Sequence, residues 1–342
     1  MERPNSDRAT RNDVARVAGL STAVVSYVLN GGPRPVSEAS RARVLKAVQE
    51  LNYRPNASAK ALKLNRSNVI GLIIPDLSNP FFAEFGREVQ NAAFRRGYSL
   101  ILAETNMDAE RESAQINALL ERQLDGLITF GLQNLDLHHI LIGSGIALVS
   151  VDDQVSELPV PTVSVDDFQA AQDAVNHLIG HGHSRIGYIG GPEDLLVSQN
   201  RRRGWAAAML AHDPDQDLAQ IQHSSPHTRE GGYASGLQAL DREDRPTALF
   251  IGADIQAVGV LHACYELGLQ IPEDVAIFSF DGTKEAEYSV PPLSTVAVST
   301  KELADRVLST LLAETRFPPG YHFVVGHQLI ARQSCGCIPR RT

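Results

Sequence analysis

Thr22, Ala23, Ser26, Tyr27 and Asn30 recur at the spacing that places them on one face of a short predicted helix. Together they present hydroxyls, a methyl, a phenol and a carboxamide, groups that hydrogen-bond to base-pair edges or press against them. Tyr27 can donate or accept one bond, or lay its ring on a thymine methyl. It cannot grip guanine through two donors as an arginine does. Val25, Val28 and Leu29 form the opposite, inward stripe, and Ser21 caps the helix start.

Neighbouring segments are built to hold that face. Thr10 and Asp13 have the spacing of a capping box; Val14, Ala15 and Ala18 then share one helical face, and Gly19 stops the helix. Gly31-Gly32-Pro33 closes the second helix, and a third starts near Ser37 with Val44, Ala47, Val48 and Leu51 as its buried stripe. Two short helices joined by a glycine turn and braced by a third make a helix-turn-helix, whose second helix enters the major groove of DNA. Charge points the same way. Residues 1–66 carry twelve Lys/Arg against five Asp/Glu, a net of +7, whereas the remainder carries 19 against 35, a net of −16. A basic head attracts phosphate and releases counterions, while an acidic body is repelled from the duplex.

From Val69 onward, short apolar strands alternate with amphipathic helices. The strand-like runs are Val69–Ile74, Ser99–Ala103, Gly126–Phe130, Ala147–Val151, Thr162–Val165, Ile186–Ile189, Ala248–Ile251 and Val275–Phe280. Helical stretches are predicted over Pro80–Arg96, Ala109–Gln123, Phe168–His181, Arg201–Ala211, Gly231–Leu240, Asp254–Leu267 and Thr300–Glu314. Such alternation implies parallel sheets covered by helices on both faces, and it continues too long for one sheet. Two similar α/β lobes are expected, with a ligand cleft between them near the carboxyl ends of the strands. Asp281 stands at one such strand end, and Asp76 is a weaker candidate for the same reason.

The length of 342 residues permits two or three domains with ordinary cores. No apolar run approaches the about 18–20 residues of a membrane span. The polar opening of the chain carries no secretory pattern, so a cytoplasmic location is expected. Three cysteines, Cys264, Cys335 and Cys337, cannot staple a fold of this size. Cys335-Gly336-Cys337 has the makings of a metal site or a strained disulfide, but no other Cys or His is near it in sequence, and it reads as incidental. His177, His181 and His183 straddle a helix end without an aligned Cys or acidic partner, and they read as a solvated helix terminus. Neither metal nor cofactor is expected. Gly187, Gly190 and Gly191 lack the dinucleotide spacing, Asp254 reads as a helix cap, and Trp205, the one tryptophan, reads as core.

The stretch Thr10 to Leu64, with Asp13-Val14-Ala15, Ala18-Gly19-Leu20-Ser21, Val25-Ser26, Val28-Leu29-Asn30, Tyr53-Arg54-Pro55-Asn56 and Ala61-Leu62, resembles the DNA-binding head of the lactose/galactose-repressor family. The similarity continues almost to the end of the chain. It implies an all-α helix-turn-helix head over residues 1–55, a hinge helix and linker over 56–66, and a two-lobed, periplasmic-binding-protein-like core of doubly wound parallel sheets over 67–342. The first lobe is expected over about 67–161 and 293–326 and the second over about 162–292 and 327–342, with crossings near Pro161–Val163, Pro292–Ser294 and Gly326–Gln328. DNA contacts are implied for Thr10, Ser21, Thr22, Ala23, Ser26, Tyr27, Asn30, Tyr53, Asn56, Ala59 and Leu62. Asn56 caps the hinge, which is too short to be stable alone, and Leu62 matches the leucine that wedges into the central base step. In the core, Asp281 matches the family's ligand-contacting aspartate and Arg201 its ligand-gripping arginine, while Phe81 and Phe82 match the aromatic entry of the first-lobe helix. An arginine fork beside a carboxylate suits a polyol.

Four positions depart from the family pattern. Tyr27 stands where arginine is common, Ala253 where sugar binders often have asparagine, His227 where an aromatic often sits, and Leu195 where purine binders have arginine. The expected operator therefore differs at the base pair facing Tyr27, and a purine effector is disfavoured. The leading function is a homodimeric repressor of a palindromic operator, controlled by a sugar-like effector. A sugar-binding transport protein would need an export signal and leaves the basic head without a role. An α/β enzyme has fold analogy alone behind it, because no nucleophile elbow, phosphate loop or metal motif is present.

Overall fold

A computed structural model describes residues 9–30, 34–54, 66–132, 135–152, 160–315, 317–318 and 320–337. The chain divides into two compact units, Met1–Ser67 and Asn68–Thr342.

The first unit holds α1 (Arg11–Ala18), α2 (Thr22–Asn30) and α3 (Glu38–Glu50). Thr10 and Asp13 close the expected capping box: the Asp13 amide donates to Thr10 Oγ1 at 3.3 Å, and the Thr10 amide to Asp13 Oδ2 at 2.9 Å. Gly19 ends α1 in the left-handed region, and Arg43 of α3 donates to its carbonyl at 3.3 Å. Val14, Ala15, Ala18, Val25, Val28, Val44, Ala47 and Tyr53 form the small core, at about 1.5–3 kcal/mol for each fully buried valine.

Among the described residues, the second unit contains two six-stranded sheets. In the first lobe, β1 (Val69–Ile74), β2 (Ser99–Glu104), β3 (Gly126–Phe130), β4 (Ala147–Val151), β5 (Thr162–Val165) and β11 (His322–Val325) run in the order 2-1-3-4-5-11, all parallel. The second lobe repeats the pattern with β6 (Ile186–Gly190), β7 (Gln222–Ser224), β8 (Ala248–Ile251), β9 (Ala276–Asp281), β10 (Ser294–Val298) and β12 (His327–Ile330) in the order 7-6-8-9-10-12; only β12 is antiparallel. The helices that cover them are α4 (Pro80–Arg95), α5 (Ala109–Leu120), α6 (Leu135–Ser144), α7 (Asp167–Gly180), α8 (Leu196–His212), α9 (Arg229–Leu240), α10 (Asp254–Glu266), α11 (Lys284–Tyr288) and α12 (Thr300–Leu311). Near-continuous burial of β1, β3, β6, β8 and β9 is what helix cover on both faces demands. Among the described residues no helix is long and apolar enough to cross a membrane.

Two expected crossings move by one strand. β5 belongs to the first sheet and β10 to the second, so the chain changes lobe after Val165 and after Val298, not before these strands; the third crossing is at Gly326. The lobes are residues 68–165 with 300–325, and 167–298 with 327–337. The reason is directional. Parallel strands point their carboxyl ends at the cleft, so a chain leaves a lobe only after finishing a strand. The prolines near 161 and 292 start strands; they do not mark crossings. The helix carrying Arg201 also begins earlier than expected, at Leu196, which puts Arg201 in its second turn.

Candidate functional site

In each lobe the strand order reverses at the first strand, so the carboxyl ends of β1 and β3 face those of β6, β8 and β9 across a crevice. A cavity of about 410 Å³ lies there, and all five expected effector residues line it: Asp76, Phe81, Phe82, Arg201 and Asp281. On the first-lobe side, Asn79 caps α4 by accepting from the Phe81 amide at 3.0 Å, with Pro80 at the first helical position. That cap aims Phe81 and Phe82 at Phe130 from β3, with centroids 6.1 and 4.9 Å away in edge-to-face contact. Phe81 is buried and Phe82 half-buried, so the pair both packs and lines the cavity. Asp76 is committed locally: it accepts from the Ser78 amide at 2.7 Å and from Ser78 Oγ at 2.8 Å.

The second-lobe side is charged and buried. Arg201 Nε donates to Asp167 Oδ1 at 2.7 Å, Nη1 donates to the Gly252 carbonyl at 2.5 Å, and Nη1 stands 3.8 Å from Asp281 Oδ1. The guanidinium also lies 3.6 Å from the Phe280 ring centroid. One cation thus faces two carboxylates away from water. Burial alone would lower the arginine's value, but Asp167 and Asp281 raise it, so it stays charged. Burial pushes Asp281 well above the usual carboxylate range and Asp167 upward too, both against the pull of Arg201. His227, buried beside Arg201, falls to about 3 and is neutral. Asp281 holds φ at +122°, a backbone strain of about 1–3 kcal/mol of the kind found at ligand sites. Its Oδ2 accepts from the Asp254 amide at 3.3 Å, at the start of α10.

Gly204 is why the Arg201–Asp167 pair can form. A Cβ there would stand 2.2 Å from the Phe168 carbonyl, so only glycine lets α8 approach α7 this closely. Asp254 does not cap α10, which starts after Ala253 without a side-chain cap. Its carboxylate accepts from Ser279, Thr283 and Thr295 and ties α10 to the ends of β9 and β10.

On the head, Ser21 caps α2 through the Val24 amide at 3.3 Å; Thr22 and Ala23 are exposed, and Ser26 and Tyr27 are half-buried on the same helix. Thr10 is exposed, with its hydroxyl donating to Asp13 at 2.6 Å. Tyr53 is buried in the head core, because the chain after α3 folds back with the Tyr53 amide on the Val48 carbonyl. Asn30 lies at the end of α2. Asn56, Ala59 and Leu62 lie outside the described residues.

Known proteins match both units. Residues 10–56 match the family described as bacterial regulatory proteins, lacI family, and residues 175–335 match the periplasmic binding protein-like domain. The ribose operon repressor of Escherichia coli (strain K12) is 36% identical over 321 residues, spanning 89% of this chain and 92% of that one. The chain belongs to the LacI family of bacterial regulatory proteins. A second relative, the HTH-type transcriptional repressor CytR of the same strain, is 33% identical over 341 residues, covering 97% of each chain. Among solved structures, the transcriptional regulator CelR–cellobiose complex is 29% identical with a TM-score of 0.71, covering 96% of this chain and all of that one. The lac repressor dimer bound to operator and the anti-inducer ONPF shares the fold, with a TM-score of 0.84 at 23% identity over 96% of this chain and 99% of that one.

Three of the departures from the LacI-family pattern converge on one place: Leu195, His227 and Ala253 all line the cavity. Sequence reasoning missed Asp167, although a trace of it was present. Two aspartates stand together at the start of a helix; Asp166 caps it through the Gln169 amide at 3.0 Å, which frees Asp167 for another partner. Also missed was a convergence in the second lobe. The ligand atoms of His177, His181, Cys335 and Cys337, read separately as incidental, all lie within 4.8 Å of one another. His183 stands apart, bonded to Thr247 at 3.0 Å.

Proposed function

We propose that this protein is a transcriptional repressor that binds a palindromic operator as a homodimer through its helix-turn-helix head and is controlled by a small sugar-like effector between the lobes. The observation that carries the effector reading is the Arg201 cluster. A buried guanidinium, held by Asp167 and Gly252 and facing strained Asp281, opens on a cavity whose other wall is aromatic. Aromatic faces suit the C–H surface of a sugar ring, and the carboxylates accept from paired hydroxyls. The cavity volume falls in the range of about 300–1,000 Å³ typical of small-molecule sites. Leu195 offers a purine no arginine, which favours a carbohydrate. A relative named ribose operon repressor and a similar regulator solved in complex with cellobiose support the same class. In this reading the protein works in the cytoplasm, needs no cofactor, and releases its effector unchanged.

The test is selection of bound duplexes from a random pool by the full chain, followed by titration of pentoses, hexoses and disaccharides against the selected site. Expected are a twofold-symmetric site, affinity falling steeply with salt, and one sugar class shifting operator affinity about 5- to 150-fold. Linkage requires that operator shift sugar affinity by the same factor. Absence of a selected site overturns the repressor reading. A selected site that no sugar shifts overturns the effector reading alone, and turnover of the bound sugar overturns the non-catalytic one.

A further inference from the structure

We propose that His177, His181, Cys335 and Cys337 form a four-ligand site for a divalent transition metal of zinc type, which pins the tail of the chain onto the second lobe. The two histidines come from the end of α7, four residues apart and so on one helical face, with ring centroids 4.7 Å apart. The two cysteines arrive from the other end of the fold, about 155 residues later, after the chain has crossed into the second lobe for the last time.

The spacing is that of a coordination cage. Cys335 Sγ stands 3.4 Å from His177 Nε2, and Cys337 Sγ stands 3.2 Å from His181 Nε2 and 3.6 Å from His177 Nε2. Zinc held tetrahedrally, with Zn–S of about 2.3 Å and Zn–N of about 2.0–2.1 Å, sets sulfur and nitrogen about 3.5 Å apart. These three sulfur–nitrogen separations match what the ion requires, and all four ligand atoms lie within 4.8 Å of one another. Two imidazoles with two thiols select zinc-like ions over magnesium or calcium, which take oxygen ligands.

The ligands are also held from behind. Ser334 Oγ donates to the Ile277 carbonyl at 2.7 Å and accepts from the Ser294 amide at 2.7 Å, while the Arg332 guanidinium donates to the Leu293 carbonyl at 2.6 Å. These bonds fix the tail against β9 and β10 immediately before Cys335. Gly336, at φ +87°, takes a left-handed turn that brings Cys337 back to the helix. The His177 and Phe278 rings pack in an edge-to-face contact, with centroids 5.3 Å apart. Cys335 is buried whereas His181 is exposed, so an ion has a route in from solvent. On binding, each thiol gives its proton to solvent and each imidazole coordinates as the neutral ring through Nε2. The remaining cysteine, Cys264, is buried between α10 and its sheet and belongs to a different cluster.

The test uses the full chain, reduced, stripped by chelator and titrated with Zn2+, with Co2+ as the spectroscopic probe. Expected are one ion per chain, a near-ultraviolet sulfur-to-cobalt charge-transfer band with tetrahedral visible bands, and a rise in Tm on adding Zn2+ that chelator reverses. His181→Ala and Cys337→Ser lose the spectrum and the Tm response, while Cys264→Ser keeps both. His181 is exposed, so its variant remains informative if the buried Cys335→Ser fails to fold. Failure of the reduced wild type to bind Zn2+ stoichiometrically overturns the site. So does binding that survives His181→Ala and Cys337→Ser, or a Cys335–Cys337 disulfide as the sole form isolated from reducing cells. None of these outcomes bears on operator or sugar binding.

Discussion

Where the first lobe meets the cavity, Phe81, Phe82 and Phe130 stand edge to face and make few polar demands. Where the second lobe meets it, Arg201 and Asp281, with Asp167 behind them, bring one cation and two carboxyl groups out of water, on a strained backbone and beside a neutral histidine. The lobes share one strand order, so topology does not explain the difference. The aromatic wall stabilises its own lobe with or without a ligand. The charged wall is costly to hold buried, and its donors and acceptors are already oriented. The comparison assigns orientation and specificity to the second lobe and shape and stacking to the first.

Arg201→Ala should break the charged wall most severely. It leaves Asp167 buried without its cation, at about 3–5 kcal/mol of stability, and abolishes the effector response in the operator assay. Chemical denaturation with and without effector checks both; wild-type stability would show that the pair is not desolvated. Asp281→Asn comes next. Asparagine tolerates a positive φ better than most residues, so the fold should survive, while effector affinity falls by about 1–3 kcal/mol, the cost of leaving a buried hydroxyl without its acceptor. Calorimetry on the purified protein measures it.

Phe82→Ala should cost less, about 0.5–1.5 kcal/mol of effector affinity, because a half-buried ring loses stacking without stranding a charge. If this loss exceeded that of Asp281→Asn, the division of labour would be reversed. The smallest expected effect is on pH dependence. His227 is lowered in the fold from 6.5 to about 3, so its neutral form is favoured and its contribution to stability is full above pH 6.5. That contribution is lost as pH falls from 6.5 toward 3. The raised carboxyl of Asp281 works with the opposite sign, its share declining as pH rises above 3.8. His227→Gln should therefore flatten the acid side of the stability profile relative to wild type, and an unchanged slope would place His227 in solvent.

Much of this was legible from local order. The capping box at Thr10–Asp13, the inward stripe Val25 and Val28, and the strands Val69–Ile74, Gly126–Phe130 and Ala147–Val151 are set by neighbours a few residues away, and they fall where the pattern predicts. β7, β10, β11 and β12 were not legible. β7, β11 and β12 are short edge strands whose burial shows no clean alternation, and β10 lies between β9 and β12, so only their sheet partners define them. Arg201 and Asp281 were found through resemblance, but that Arg201 is spent largely on Asp167 and Gly252 was not, since those bonds depend on Gly204 letting two helices close.

The sequence by itself determined the basic helix-turn-helix head, the alternating α/β core and the residue types brought to the cleft, because periodicity, caps and charge act over short separations. Only the tertiary structure decided where the chain crosses between lobes, that Tyr53 is core, and that two histidines meet two cysteines about 155 residues on. Sheet pairing sets such meetings, and the registry of one sheet edge against one helix end leaves no periodic trace in the residues that it brings together.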